Sequence, residues 1–176
     1  MAGDLAPEET ALVAVQAALT GRPGVLATAR TLSHFGEHSA GWVGVSAIGA
    51  ALSPRRRREW LGVGVGAFAA HAAAVVIKRV VKRPRPHHPA IAINVGTPSK
   101  LSFPSAHATS TTAAAILLAR VTGTRLPLLL VPTMALSRLV LGVHYPTDVL
   151  TGIAVGATVA RTVGAVTGPP SKEKTL

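Results

Sequence analysis

Between Trp60 and Lys172 the sequence carries a single carboxylate, Asp148, four residues after His144, which itself follows Arg138 by six. Carboxylate and imidazole at this spacing can hydrogen-bond, which fixes the ring tautomer and raises the basicity of the other ring nitrogen. A histidine oriented in that way can act as a nucleophile or a general base. A second polar knot is the run Pro104, Ser105, Ala106, His107. With a helix starting there, the serine hydroxyl and the first free amides point at one spot that favours an anion, and His107 could donate a proton to it. The third knot is Lys78 with Arg85 and Pro86, where Pro84 and Pro86 end the helix and hold the guanidinium in a stiff loop. Arginine forks match phosphate oxygens, and lysine adds a point charge. Three cations, a hydroxyl, amides and two histidines describe a phosphoryl-transfer site that could work without a metal or any other cofactor.

The elements that must position these residues read as membrane helices. Of 176 residues, 48% are apolar and only 14% charged, against about 25% charged in ordinary soluble domains. The charged set is one-sided, 18 Lys and Arg against 7 Asp and Glu, a formal +11. Disorder is excluded, because it needs low hydrophobicity as well as charge. A nucleic-acid binder would fit the charge, but aromatics are only 3% and long stretches carry no charge at all, so no nucleic-acid partner is expected. The absence of cysteine excludes a disulfide scaffold, a thiol nucleophile and Cys-ligated zinc.

Predominantly apolar segments at about 38–53, 60–77, 105–119, 126–143 and 148–166, the second without one charge, predict an all-α, integral membrane helix bundle of about five transmembrane helices. Their Ala, Gly, Ser and Thr content allows close helix packing. Two short N-terminal helices precede them, an amphipathic one opening at Pro7 and stopping at Gly21, and a second from Pro23 to about Ser33. The start lacks the basic n-region of a signal peptide and is expected to be retained. No linker or repeat divides the chain, so residues 1–168 are expected to form one domain, followed by a disordered tail at 169–176. Counting cations in the connections puts nine on the side of Arg55–Arg58 and the C-terminus, and seven on the side of Lys78 and Arg85. If several of the seven are committed to an anion, the first side becomes cytoplasmic and the site faces outward across the plasma membrane.

Taken together, the three knots resemble the signature segments of the type 2 phosphatidic acid phosphatase (PAP2) superfamily, which also includes the vanadium haloperoxidases. Lys78, Arg85 and Pro86 match its K-x6-R-P, Pro104, Ser105 and His107 match P-S-G-H, and Ser137, Arg138, His144 and Asp148 match S-R-x5-H-x3-D. The resemblance implies a phosphatase in which His144 attacks phosphorus to form a phosphohistidine, Asp148 orients and charges it, and His107 protonates the leaving oxygen. Lys78, Arg85, Ser105 and Arg138 would hold the phosphate oxygens, with help from the amide at Ala106. The family usually has Gly at that last position, and a methyl group there disfavours a positive φ and close backbone approach. Within the family, the stretches LSHFGEH, HAAAVVIKRVVKR, PAIAI and LSFPSAHATSTT resemble most the members that act on a polyprenyl-phosphate sugar phosphate in cell-wall precursor synthesis. The implied partners are that lipid substrate and the bilayer, with room for a homo-oligomer or for association with other cell-wall precursor enzymes. The competing readings are a phosphatase of undecaprenyl diphosphate or of phospholipid head groups, and a non-catalytic membrane anion-binding or scaffold protein.

Other polar residues have blander readings. Arg79, Lys82 and Arg83 are expected to snorkel at the membrane surface and meet anionic lipid. His87 and His88 are adjacent and lack the spacing of a metal site. His34, Glu37 and His38 spell H-x-x-E-H, a zinc-protease pattern, but so few carboxylates remain to supply a third ligand that no metal is expected. These three side chains are expected instead to contact the substrate head group or to close its pocket.

Overall fold

Pro7 at the first helical position, followed by Glu8 and Glu9 in the first turn, opens helix α1 (Pro7–Leu19). In the computed structural model, which describes residues 5–168, it is followed by α2 (Val25–Gly36), α3 (Ala40–Leu52), α4 (Arg57–Val81), α5 (Ala106–Thr122), α6 (Leu130–Val140) and α7 (Pro146–Thr167). The described residues are helical, with one isolated bridge between Pro84 and Leu101 in the long α4–α5 loop. The expected tail at 169–176 lies outside the described residues.

The helix lengths support the expected membrane bundle at two of its five spans. Among the described residues, Pro54–Val81, a turn plus α4, and α7 are the two helices long and apolar enough to cross a membrane by length and composition. Helix α3 has 13 residues, about 20 Å at 1.5 Å per residue. It starts late because His38 and Ser39 take left-handed φ values of 49° and 62° and break it from α2. The segment expected over 126–143 divides into a 3₁₀ turn at Leu126–Leu129 and the 11-residue α6. Pro127 and Pro132 remove two amide donors there, both within the first turn of their elements, where that loss is tolerated.

Helix α5 is the hub, packed on α4, α6 and α7. Twelve of its 17 residues are buried, among them Thr109, Ser110, Thr111 and Thr112. Large apolar side chains lie outside: Phe68 is 60% exposed, Val76 61%, Ile48 62% and Leu150 64%. An interior of small and hydroxylated residues inside an apolar exterior reverses the usual soluble order and suits a helix bundle surrounded by lipid. The close α5–α7 contact requires glycine. A methyl group on Gly156 would run into the Thr109 carbonyl, and one on Gly152 would lie 2.8 Å from that of Ser105. At this seam the Ser105 amide donates to the Asp148 carbonyl (2.9 Å), which ties the start of α5 to the start of α7.

The α6–α7 turn is fixed as closely. Gly142 has φ +71°, and a side chain there would collide with the Ala92 carbonyl. Gln16 of α1 buries its amide group at the same place, donating to the carbonyls of Ala92 (2.7 Å) and Val140 (3.2 Å) and accepting from the Ala92 amide (3.0 Å). At the opposite end of the bundle, Arg58 donates to the Val166 carbonyl (2.6 Å) and Arg56 to that of Arg120 (3.5 Å). The Arg55–Arg58 turn, the end of α5 and the end of α7 therefore share one face, and the three polar knots share the other.

Candidate active site

A cavity of about 450 Å³ opens on the face that carries the knots. Lys78, Arg85, Ala106, His107, Arg138 and His144 all line it. Two predicted residues do not. Ser105 and Asp148 are fully buried just beneath, Ser105 accepting from the Ala108 amide (3.4 Å) as the N-cap of α5.

The three cations differ in how they are held. Lys78 Nζ donates to the carbonyls of Ser102 (2.8 Å) and Leu101 (3.3 Å). Arg85 Nε donates to the Ser99 carbonyl (2.8 Å) and its Nη1 to that of Val143 (2.6 Å). Arg138 is 1% exposed, yet its Nε and Nη1 are buried with no hydrogen-bond partner. A buried guanidinium without an anion is expensive. Two unmet donors beside Lys78 and Arg85 make a socket for a tetrahedral dianion such as phosphate. Burial pushes Arg85 down to about 10, which leaves it charged at neutral pH.

The histidine geometry defines the tautomers. Arg85 Nη1 lies 3.3 Å from His144 Nε2. A guanidinium only donates, so Nε2 is the acceptor and the proton sits on Nδ1. Burial first, and then the guanidinium groups of Arg85 and Arg138, hold His144 well below its ordinary pKa. The ring is therefore neutral at neutral pH, with a lone pair available on Nε2. His144 Nδ1 faces Asp148 Oδ2 at 3.6 Å, beyond hydrogen-bond reach, and makes no other hydrogen bond. The expected His144–Asp148 hydrogen bond is thus aligned but open. His107 Nε2 lies 2.9 Å from the Ser33 carbonyl and must carry its proton there.

Asp148 is engaged elsewhere. Its Oδ2 accepts from the Tyr145 amide (2.8 Å), closing the first turn of α7, and its Oδ1 accepts from Arg83 (3.0 Å). The expectation that Arg83 snorkels into lipid is corrected here: its other Nη donates to Glu8 (2.6 Å), and its guanidinium stands 4.1 Å over the Tyr145 ring. The concern over Ala106 also resolves, since it opens α5 in ordinary helical conformation and needs no positive φ.

The second wall of the cavity carries His34, Glu37 and His38, together with His71. His34 and Glu37 form a loose exposed pair (3.9 Å), whereas the left-handed turn sends His38 to His71, with ring centroids 5.7 Å apart. His71 Nδ1 is buried without a partner. Sequence reasoning missed His71, although it lies seven residues before Lys78, two turns along the same helix face.

A family model described as the PAP2 superfamily matches residues 59–168. The chain is 76% identical over 145 residues to decaprenylphosphoryl-5-phosphoribose phosphatase of Mycolicibacterium smegmatis, covering 82% of this chain and 81% of the relative. It is 66% identical over 161 residues to the protein of that name from Mycobacterium tuberculosis, covering 92% and 91%. Among solved structures it is similar in fold to a PAP2 type phosphatidylglycerolphosphate phosphatase from Bacillus subtilis, with a TM-score of 0.69 and 22% identity over 89% of this chain and 84% of that one. Aquifex aeolicus LpxE gives a TM-score of 0.65 and 18% identity over 91% and 96%.

The unmet donors of Arg138 generate a test that separates folding from binding. Replacing a buried unpaired charge by an apolar group of similar length is neutral or stabilising, so Arg138→Met is expected to melt in detergent at or above the wild-type temperature. Inorganic phosphate in EDTA should raise the wild-type midpoint and leave that of Arg138→Met unmoved. A destabilised variant that still responds to phosphate would remove Arg138 from the socket.

Proposed function

The chain belongs to the PAP2 superfamily, and we propose that it is a membrane phosphatase that hydrolyses the 5-phosphate monoester of decaprenylphosphoryl-5-phosphoribose, leaving decaprenylphosphoryl ribose for cell-wall arabinan synthesis. One observation carries the phosphatase chemistry: a buried guanidinium with two unmet donors, a neutral histidine whose unprotonated Nε2 is held by Arg85 alone, and a second histidine all face one cavity. The identity of 66–76% with relatives of that name supports the substrate.

In this reading the phosphate oxygens take up the unmet donors of Arg138 together with Lys78, Arg85 and the Ala106 amide, while Ser105 fixes the first turn of α5 from beneath by accepting from the Ala108 amide. His144 Nε2 attacks phosphorus, and a P–N bond forms as the P–O bond to the ribose breaks. Asp148 accepts the Nδ1 proton in a hydrogen bond and stabilises the charge that develops on the ring. The leaving oxygen takes a proton from His107, whose protonated form is favoured once a dianion offsets the three cations. Water then attacks the phosphohistidine, delivers its proton to His107 and releases phosphate, so His144 returns to its neutral state. His34, Glu37, His38 and His71 offer donors and acceptors to the ribose hydroxyls. Helices α3 to α7 are the five that pass through the plasma membrane in this reading, with the cavity on the outer face and the Arg55–Arg58 turn in the cytoplasm.

Phosphate release by purified protein in detergent with EDTA tests the chemistry. Release from the phosphoribosyl lipid should exceed release from undecaprenyl diphosphate and from phosphatidic acid. His144→Ala should lose at least about a thousandfold, and His107→Ala and Asp148→Asn about a hundredfold or more. Preference for another lipid would keep the mechanism and discard the substrate, whereas full activity of His144→Ala would sink the mechanism. Alanine at His34, Glu37 and His38 together is expected to raise KM several-fold with little change in kcat; an unchanged KM removes them from the head-group site. A protease-cleavable tag at the C-terminus should resist protease in intact spheroplasts and be cut once they are opened, and cleavage in intact spheroplasts would reverse the orientation.

A further inference from the structure

Asp148 is reached from the far side of His144 by residues at none of the fixed positions of the three signature segments: Arg83 and Thr147 stand at variable positions within two of them, and Glu8 lies outside all three. Arg83 Nη1 donates to Asp148 Oδ1 (3.0 Å) and to Thr147 Oγ1 (2.7 Å), while its Nη2 donates to Glu8 Oε2 (2.6 Å). The other Glu8 oxygen accepts from both the amide (3.1 Å) and the hydroxyl (2.6 Å) of Thr147. Both terminal nitrogens of Arg83 and both oxygens of Glu8 and of Asp148 have partners, and the Tyr145 ring under the guanidinium restricts its movement. Asp148 itself is fully buried, whereas Arg83 and Glu8 are 27% and 31% exposed.

We propose that Glu8 and Arg83 are positioning residues for the reaction: Glu8 restrains Arg83 so that Asp148 is gripped through one oxygen only and keeps the other aimed at His144. The reasoning is geometric. An unrestrained guanidinium prefers the two-pronged grip on a carboxylate. Here such a grip would take Oδ2 as well as Oδ1, turn Asp148 from His144 Nδ1 and neutralise the charge that the attacking imidazole needs. Glu8 occupies the second nitrogen and prevents this. Helix α1 thereby becomes a working part of the site. Its docking does not depend on Glu8, because Gln16 anchors it separately to Ala92 and Val140.

The inference rests on the proposed roles of His144 and Asp148, and the test keeps the two apart. Steady-state phosphate release is measured for wild type, Glu8→Gln, Arg83→Gln, the double variant, and Glu9→Gln as a control from the same helix turn, with melting temperatures alongside. Glu8→Gln removes the charge but keeps the shape. It is expected to lower kcat about five- to twentyfold with KM within twofold, since Glu8 does not line the cavity, while Glu9→Gln stays at the wild-type rate. The double variant should match Arg83→Gln alone, because without Arg83 there is nothing for Glu8 to restrain. A Glu8→Gln enzyme with lowered melting temperature and unchanged kcat overturns the inference and leaves Glu8 a structural tether. So does a loss that appears in KM, or one that multiplies with that of Arg83→Gln. Wild-type activity that survives His144→Ala would instead overturn the underlying reading, and this inference with it.

Discussion

Three like charges, those of Lys78, Arg85 and Arg138, gathered around one cavity are the constraint on which the arrangement depends. Lys78 and Arg85 are made tolerable by backbone carbonyls from the α4–α5 and α6–α7 loops. Arg138 is not, and two of its donors stay unmet. Burial of such a group costs several kcal/mol, and that cost must be met by packing elsewhere in the bundle. In the proposed function it is recovered when a dianion binds, so that a share of the binding energy for phosphate is stored beforehand. The loops that supply the carbonyls must therefore be stiff, which accounts for the knot of Gln16, Ala92, Asn94 and Gly142 behind them.

The rest of the fold follows from placing that cluster at one end of a bundle whose outside is greasy. With large apolar side chains committed to the exterior, the interior has to be held by close contact of small residues. Gly152 and Gly156 let α7 approach α5 at backbone distance, and the approach lays Asp148 beside Ser105. The same contact that packs the helices thus aligns two of the signature segments. Thr109 donates its hydroxyl to the Ser105 carbonyl (2.8 Å) at this seam, whereas the Thr111 and Thr112 hydroxyls further along α5 are buried without a partner.

The convergence of Lys78, Arg85, His107, Arg138 and His144 on one cavity, with Asp148 beneath it, was readable from the sequence, because each knot is local and the proposed phosphoryl chemistry would need those residue types. The helical class and the approximate helix positions were also readable, from apolar runs and proline punctuation. What could not be read depends on distance along the chain or on backbone detail. Arg83 is of the same type as its neighbours Arg79 and Lys82, and only Glu8, 75 residues away in sequence, turns it inward. His71 sits in an apolar run that reads as lipid-facing until the cavity is seen. Helix α3 begins two residues late because two consecutive non-glycine residues adopt left-handed φ, which no composition signals. The family-based concern at Ala106 could not be weighed before the helix start was located, since the first helical turn makes no demand for positive φ.

In the proposed mechanism, the electrostatics of the site before substrate binds and those of phosphoryl transfer pull in opposite directions, and the substrate would reconcile them. Before binding, the surrounding guanidinium groups keep His144 neutral, as an attacking nitrogen must be, but Arg85 also occupies the lone pair on Nε2 at 3.3 Å. A phosphate dianion is a far stronger acceptor than an imidazole. Its arrival draws the Arg85 donor off Nε2 at the moment that phosphorus comes within reach. The same two negative charges cancel the field that had opposed a positive ring, so the imidazolium that develops during transfer meets Asp148 on one side and a neutralised pocket on the other. The 3.6 Å gap between His144 and Asp148 is consistent with this sequence. While the ring is neutral and the cations unmatched, a tight hydrogen bond to the carboxylate gains little; once charge builds on the ring it gains a great deal. A site that binds its nucleophile to Asp148 only when substrate is present spends its strongest interaction in the transition state rather than before it.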